Sequence, residues 1–333
     1  MVVPSVPPSP DDALALLRAR IDAHSSQDRV QAGSLIVTVF GDAVLPRGAC
    51  LWLGSLIQLL QPLGVNERLV RTAVYRLVQE GWLTTRAQGR RTDYLLTDAG
   101  LARVDEAARQ IYAARAPSWD LHWRMLLVTE ALPARVRERL RRSLFWQGYG
   151  ELPGGVFVHP SADMDATLEA LAADGLGAWA GALLPLRAQR LPLRGVAPNR
   201  TLVQQAWNLA ALAQHYADFV AQYAPIEAAL RSAASAPPPE LAFCARTLLI
   251  HDWRRLLLRD PQLPAELLPR EWPGERARQV CRRLYRLLLA PAERHLDARL
   301  CLADGHTPAA APWLWQRFEP LDDECSLGPP MTA

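Results

Sequence analysis

The chain contains no lysine: all 37 of its basic side chains are arginine. Arginine's planar fork suits phosphate and base recognition. A GC-rich coding bias gives the same enrichment, so this absence selects no partner. Long apolar runs are also missing. No uninterrupted stretch approaches the roughly 20 residues a membrane span needs. The opening MVVPSVPPSPDD lacks the charged start and apolar block of a signal peptide, and a cytoplasmic protein is expected. Cysteine is sparse. Cys50, Cys244, Cys281, Cys301 and Cys325 form no CxxC pair, which disfavours a zinc site or disulfide framework and leaves free structural thiols. Catalytic signatures are missing as well. Neither H-E-x-x-H nor G-x-S-x-G occurs, so His251-Asp252 reads as a core or helix-surface pair. ELPGGV lacks the lysine and the spacing of a P-loop and reads as a strand-entry turn. No catalytic residue, metal or resident cofactor is expected.

What is present is a 333-residue chain, half of it hydrophobic, with a net charge of only +3. That length implies two or three domains, and so mild a total makes local charge placement the informative quantity. DDALALLRARIDA reads as a short helix capped by Asp11 or Asp12. SLIVTVFGDAV is apolar enough for a buried helix, though its β-branched residues would tolerate a strand. After the break at LPRG, LWLGSLIQLL gives a second amphipathic stretch, ended by Pro62 and Gly64. Asn66 is a good N-cap for a third helix, with Glu67 facing the positive end of its dipole.

In that third helix Val70, Val74, Leu77 and Val78 make one buried stripe, while Arg68, Thr72, Tyr75 and Gln79 lie opposite, flanked by Arg71 and Arg76. Gly81 stops it. WLTTRA and RTDYLLT then form a hairpin about a turn containing Gly89, Arg90 and Arg91. Thr97 and Asp98 start a further helix whose stripe is Leu101, Val104, Ala108, Ile111 and Tyr112. Helices followed by a two-stranded ribbon, with a tight turn before the third helix, predict a winged helix-turn-helix whose third helix enters the DNA major groove. Arg68 and Arg71 are placed to fork onto guanine edges, and Thr72 to meet a thymine methyl or a phosphate. Tyr75 either contacts the DNA backbone or packs half-buried. Arg76, Arg90 and Arg91, with Arg86 on the same ribbon, fit phosphate contacts. The plainer alternative is a solvated helix face.

Beyond Pro117, strand-like WRMLLVT, GGVFVHP and GALLPLRA alternate with helical ARVRERLRRSLFW and DMDATLEALAAD, which suggests a ferredoxin-like α+β domain with one strand poorly marked. From about Val196 the pattern is helical. The expected class is therefore α+β multidomain. Its segments are a 1–30 extension with a short helix, a 31–116 winged helix-turn-helix with linker helix, a 117–195 ferredoxin-like domain, a 196–310 mainly helical domain and a 311–333 tail.

SLIVTVFGD, RGACLWLGSLIQLL, GVNERLVRTAVYRLVQEGWL and GRRTDYLLTDAG, in this order, resemble the PaaX family of bacterial repressors of phenylacetate catabolism. YGELPGGVFVHP resembles the family's middle domain, and WNLAALAQHYADFV and RTLLIHDWRRLLLRDPQLPAELLPREWPGERA resemble its third, so the likeness spans roughly residues 30–300. It implies a homodimer that binds operator DNA and releases it when an aryl-CoA such as phenylacetyl-CoA binds. It also implies a Cas2-like middle domain used in dimerisation. An acyl-CoA needs cations for its phosphates and an apolar slot for its aryl group. Trp253, Arg254, Arg255, Arg259, Arg270, Trp272 and Arg283 are the candidates, against the plainer reading that the tryptophans are core and the arginines form intrahelical pairs. A helix bearing Arg282, Arg283 and Arg286 could instead touch DNA or a partner subunit. Two other classes stay open: an enzyme acting on a CoA ester or nucleic acid, and a ligand-independent activator or architectural protein.

Overall fold

The structure is a computed structural model that describes residues 10–26, 31–113, 118–189 and 198–319. The outer parts of the predicted extension, its junction with the second segment, Pro117, residues 190–197 and most of the tail, Cys325 included, lie outside the described residues. The chain divides into two compact units that do not follow the linear segments. One unit joins residues 1–114 to 218–254 and 275–333; the other joins 115–217 to 255–274. The helical C-terminal segment is therefore shared between them.

The first unit opens with α1 (Pro10–Ser25) and α2 (Ala32–Val39). Helix α2 is nearly all apolar because it is buried on most sides, and it packs against α4. It runs on through one π-helical turn at Phe40–Val44, then a 3₁₀ turn that closes on Gly48 at φ 90°. Next come β1 (Cys50–Trp52), α3 (Leu53–Leu60), α4 (Glu67–Gln79), β2 (Leu83–Gln88), β3 (Arg91–Leu96) and α5 (Asp98–Ile111). Strand β1 hides at the front of what the sequence presents as a single amphipathic stretch. Three residues are too few for alternation to show, yet Cys50 to Trp52 pair antiparallel with Leu95 to Asp93 and turn the hairpin into a three-stranded sheet of order β1-β3-β2.

The unit is completed by most of α9 (Leu209–Ser232), by α10 (Pro239–Leu257) and by α11 (Pro273–Arg299). Their central feature is a buried charge network. Asp42, in the π-helical turn, accepts hydrogen bonds on Oδ1 from Tyr112 (2.6 Å), Tyr285 (3.0 Å) and Arg317 (2.8 Å). Arg246 Nε lies 2.9 Å from Asp42 Oδ2, an ion pair whose N–H points off the oxygen. Its Nη1 donates to Glu293 Oε1 at 2.6 Å, and Arg47 donates to the other oxygen of Glu293 and to Asp297. Three guanidiniums thus face two buried carboxylates, Asp42 and Glu293, and the exposed Asp297.

The second unit carries β4 (His122–Val128), α6 (Ala134–Trp146), β5 (Gly150–Leu152), β6 (Val156–His159), α7 (Met164–Ala173) and β7 (Leu183–Gln189). The four strands lie in the order β5-β6-β4-β7, all pairs antiparallel, which is the βαββαβ ferredoxin-like arrangement. Strand β5 is the one the sequence marks poorly; it pairs with β6 across Pro153-Gly154-Gly155, both glycines at positive φ. Strand β4 is apolar without alternation from Met125 to Val128 because both faces are covered there. Leu126 joins a cluster with Leu140, Leu144, Phe157 and Leu171, while Trp123 on the opposite face packs with Val158, Val203, Leu263 and Leu267. That second face is covered by α8 (Pro198–Ala206) and by the segment after α10.

His159 at the end of β6 is buried, and its Nδ1 accepts the Ser161 N–H at 3.0 Å. Burial, with the Arg124 guanidinium adding to it, pushes the imidazole down from 6.5 to about 4. Above pH 6.5 folded and unfolded chains are both neutral here. Below it the unfolded chain takes up a proton that the folded chain refuses, so stability falls as pH drops from 6.5 to about 4. The loss expected across that window is about 3 kcal/mol. Urea unfolding at stepped pH checks it. His159→Asn, which keeps an acceptor near Nδ1 but does not titrate, is expected to flatten this limb.

Candidate nucleic-acid interface

Helix α4 begins abruptly. Asn66 is extended and its Oδ1 accepts the Leu69 N–H at 3.0 Å, as its sequence position predicts. Gly64, at φ 79°, makes the turn from α3, and an added Cβ would meet Ser25 at 3.0 Å. The buried stripe consists of Val70, Ala73, Val74 and Leu77, with Val78 half-buried at its margin. The opposite face is open: Arg68, Arg71, Thr72, Tyr75, Arg76 and Gln79 are all exposed. Tyr75 is 65% exposed, which settles its packing alternative against burial.

These side chains are not equally available. Arg71 is tied to Glu67 one turn earlier, with Nε 2.8 Å and Nη2 2.7 Å from Oε1. The Thr72 hydroxyl donates to the Arg68 carbonyl at 2.9 Å, leaving its lone pairs and methyl to face outward. The hairpin turns through Gly89 and Arg90, with Gln88 paired to Arg91 and φ of 59° at Gly89. Glycine first in a two-residue turn is the type II′ preference, and it leaves Arg90 exposed at the tip. Arg86 reaches toward the sheet to Asp93 Oδ2 at 3.2 Å, and Arg91 lies over the Trp52 ring at 4.6 Å while donating to the Ala303 carbonyl. Arg68, Arg71, Thr72, Tyr75 and Arg76 thus share one face, Arg90 occupies the turn, and Arg86 and Arg91 are held along the ribbon.

The residues that hold the ribbon carry no functional signal in the sequence. Asp93 is fully buried; besides Arg86 it accepts the Ala303 N–H at 2.7 Å. The Trp52 N–H donates to the Cys301 carbonyl, and the Ala311 N–H to the Pro46 carbonyl. The segment after α11 therefore braces the hairpin's root over more than 200 positions of sequence, a pairing that no local pattern encodes.

The seven effector candidates are divided between the two units. Trp253, Arg254 and Arg283 belong to the first unit, whereas Arg255, Arg259, Arg270 and Trp272 belong to the second. Trp253 is a core residue, fully buried against Phe219, with its indole N–H donating to the Ile111 carbonyl at 3.0 Å. Arg254 is engaged by Ser34, through both its carbonyl and its hydroxyl. Arg283 is half-buried, and Arg255 and Arg270 are exposed. Arg259 and Trp272 line separate cavities of about 600 and 620 Å³. Among the described residues no group of three or more His, Cys, Asp or Glu is placed to hold a metal, and no helix is long and apolar enough to cross a membrane. Cys50, Cys244 and Cys281 are buried free thiols, and burial pushes the first two up to about 11 and about 12.

A capped, arginine-faced helix beside a basic hairpin is the equipment of a gene regulator, and known proteins of similar sequence agree. Family profiles match in three successive stretches: "PaaX-like protein" at 31–100, "PaaX protein central Cas2-like domain" at 116–183 and "PaaX-like protein C-terminal domain" at 207–298. The chain is 38% identical over 299 residues to the transcriptional repressor PaaX of Escherichia coli (strain K12), covering 89% of this chain and 92% of that one. Among solved structures it is similar to an uncharacterized protein from Mycobacterium tuberculosis, at TM-score 0.48 and 27% identity over 72% of this chain and 89% of the other. The chain is thus a transcriptional regulator and not an enzyme. It belongs to the PaaX family of transcriptional repressors.

Proposed function

We propose that this protein is a cytoplasmic, homodimeric repressor of phenylacetate-degradation genes. In this reading, α3, α4 and the β2–β3 hairpin act as a winged helix-turn-helix: α4 enters the major groove of operator DNA and the hairpin lies on the backbone. The effector that releases it is an aryl-CoA such as phenylacetyl-CoA. The observation that carries the reading is the rigidly capped α4, whose outward face offers Arg68, Arg71, Thr72, Tyr75 and Arg76 together. A two-fold dimer places two such helices on half-sites about 34–36 Å apart, or multiples of that. The four-stranded unit, matched by the Cas2-like profile, is the dimerisation element in this scheme. An effector can release the operator only through its differential affinity for the two arrangements of the dimer.

The test is fluorescence anisotropy of an operator duplex drawn from promoters of phenylacetate-degradation genes, titrated with protein at fixed salt. Saturating phenylacetyl-CoA is expected to weaken binding by about 5–150-fold, the usual range for coupled sites. Unchanged affinity would sink the aryl-CoA assignment. Turnover of the ester during the assay would restore the enzyme reading.

A further inference from the structure

Resting on the reading above, that an aryl-CoA is the effector, we infer that one groove of the second unit binds the phosphate-bearing nucleotide end of that ester. The groove, of about 600 Å³, lies between the end of α6 and the start of α9, a size within the ordinary range for small-ligand sites. Three features point to a phosphorylated, ring-bearing ligand.

The first is charge. Arg141, Arg142, Arg259 and His215 line the groove. Two carboxylates also face it, Glu138 and Glu151. They are engaged with Arg141 and Arg142, at 3.3 to 3.8 Å. Arg259, which is exposed, and His215 complete the charged lining. Three arginines against two carboxylates leave this lining with one guanidinium in excess.

The second is backbone. Helix α9 is 24 residues long, and its N-terminus opens onto the groove at Asn208, Leu209 and Ala211. The first N–H groups of a long helix favour an anion. Most of its first N–H groups are already engaged, Leu209 with the Trp207 carbonyl, Ala211 with Asn208 Oδ1 and Leu212 with the Asn208 carbonyl, so this end offers the helix dipole and not open donors.

The third is aromatic surface. Phe145 is 60% exposed at the rim, and Trp207 forms the wall, its indole fixed by donation to the Gly148 carbonyl at 3.1 Å. An exposed phenylalanine beside arginines is costly to leave in water and suits stacking on a nucleobase. The neighbouring cavity shares Trp207, but its lining holds one arginine, Arg200, and one carboxylate, Glu271, with no cation in excess. Phosphates therefore favour the Arg259 groove.

Isothermal titration at fixed salt separates the possibilities, using phenylacetyl-CoA and adenosine 3′,5′-bisphosphate as probes on the full chain. Arg259→Ala and Arg142→Ala are surface changes, and a thermal midpoint matching the unsubstituted protein confirms their folding. Each is expected to weaken both probes about tenfold or more, the scale of one charge-assisted hydrogen bond to phosphate. If the unsubstituted protein binds the ester and both variants bind it equally well, the groove is overturned and the effector reading stands. If only the bisphosphate binds, and binds in an Arg259-dependent way, the groove is supported and the aryl-CoA reading falls. Binding of neither probe overturns both.

Discussion

Arg246→Met is expected to destabilise the unit built on α2, α10 and α11 by about 3–5 kcal/mol, the cost of leaving buried charge uncompensated. Arg246 is wholly buried between Asp42 and Glu293. Its guanidinium is held charged: burial alone would lower it, but Asp42, Tyr285 and Glu293 outweigh that and drive it well above its ordinary value. Methionine fills much of the same volume, so the loss expected is electrostatic and not a cavity. Removing it strips Asp42 Oδ2 of its ion pair and Glu293 Oε1 of its hydrogen bond, while Arg317 and Arg47 stay on the other oxygens. Arg246→Met combined with Asp42→Asn removes one of the two carboxylates that Arg246 faces and is expected to lose less than the sum of the single changes, as coupled neighbours do. Urea unfolding free energies measure both. By contrast, Arg142→Met is expected to fall within about 0.5 kcal/mol of the unsubstituted protein, as exposed substitutions do. A loss below about 1 kcal/mol for Arg246→Met would mean that the network contributes little. Because Asp42 and Arg47 come from the N-terminal segment and Arg246 and Glu293 from α10 and α11, the same measurement reports how far the N-terminal segment depends on the far end of the chain.

Arg71→Ala is expected to weaken operator binding by about 1–3 kcal/mol, the range for removing a base-reading arginine, and to relax preference at one position of the half-site. The Glu67 ion pair sharpens this expectation. Glu67 pre-orients Arg71 along the helix face, yet its carboxylate would repel phosphates if α4 enters the groove. An exposed pair of this kind contributes no more than a fraction of a kcal/mol to stability, so Glu67→Ala is expected to leave folding intact. It frees Arg71 and removes a charge that phosphates repel, so affinity for all DNA should rise while discrimination falls. Arg76→Ala is the contrast: as a phosphate contact its loss is expected to weaken operator and unrelated DNA alike and to lower the salt slope by about 1. If Arg71→Ala shows that uniform pattern, Arg71 touches backbone and base reading passes to Arg68 and Thr72.

The parts of this structure legible in the sequence are those written locally. Asn66, Gly81, Thr97 and the 3.6-residue spacing of Val70, Val74 and Leu77 act within a turn or two, and each is where the pattern puts it. Tyr75 shows the limit of such reading, since a wheel places it opposite the stripe but does not decide between contact and packing. Strands β1 and β5 escape the pattern because three residues carry no periodicity; the partner strand defines them. Trp253 misleads for a related reason. An aromatic flanked by arginines has the composition of an acyl-CoA site, but its burial depends on Phe219 and Ile111, which lie far from it in sequence. The arginine-lined groove is invisible in the same way: α6, the α8–α9 break and the Arg259 loop meet only in the folded unit.

Sequence reading by α4 is measured by the ratio of affinities for an operator duplex and a scrambled duplex of equal length, taken by anisotropy at one fixed salt concentration. The operator is expected to bind about 10³–10⁷-fold more tightly, the span of specific regulators. Arg68→Ala with Arg71→Ala is expected to collapse most of that ratio while the scrambled duplex changes far less. Equal affinity for both duplexes, or a ratio untouched by the paired substitution, would contradict sequence reading by α4.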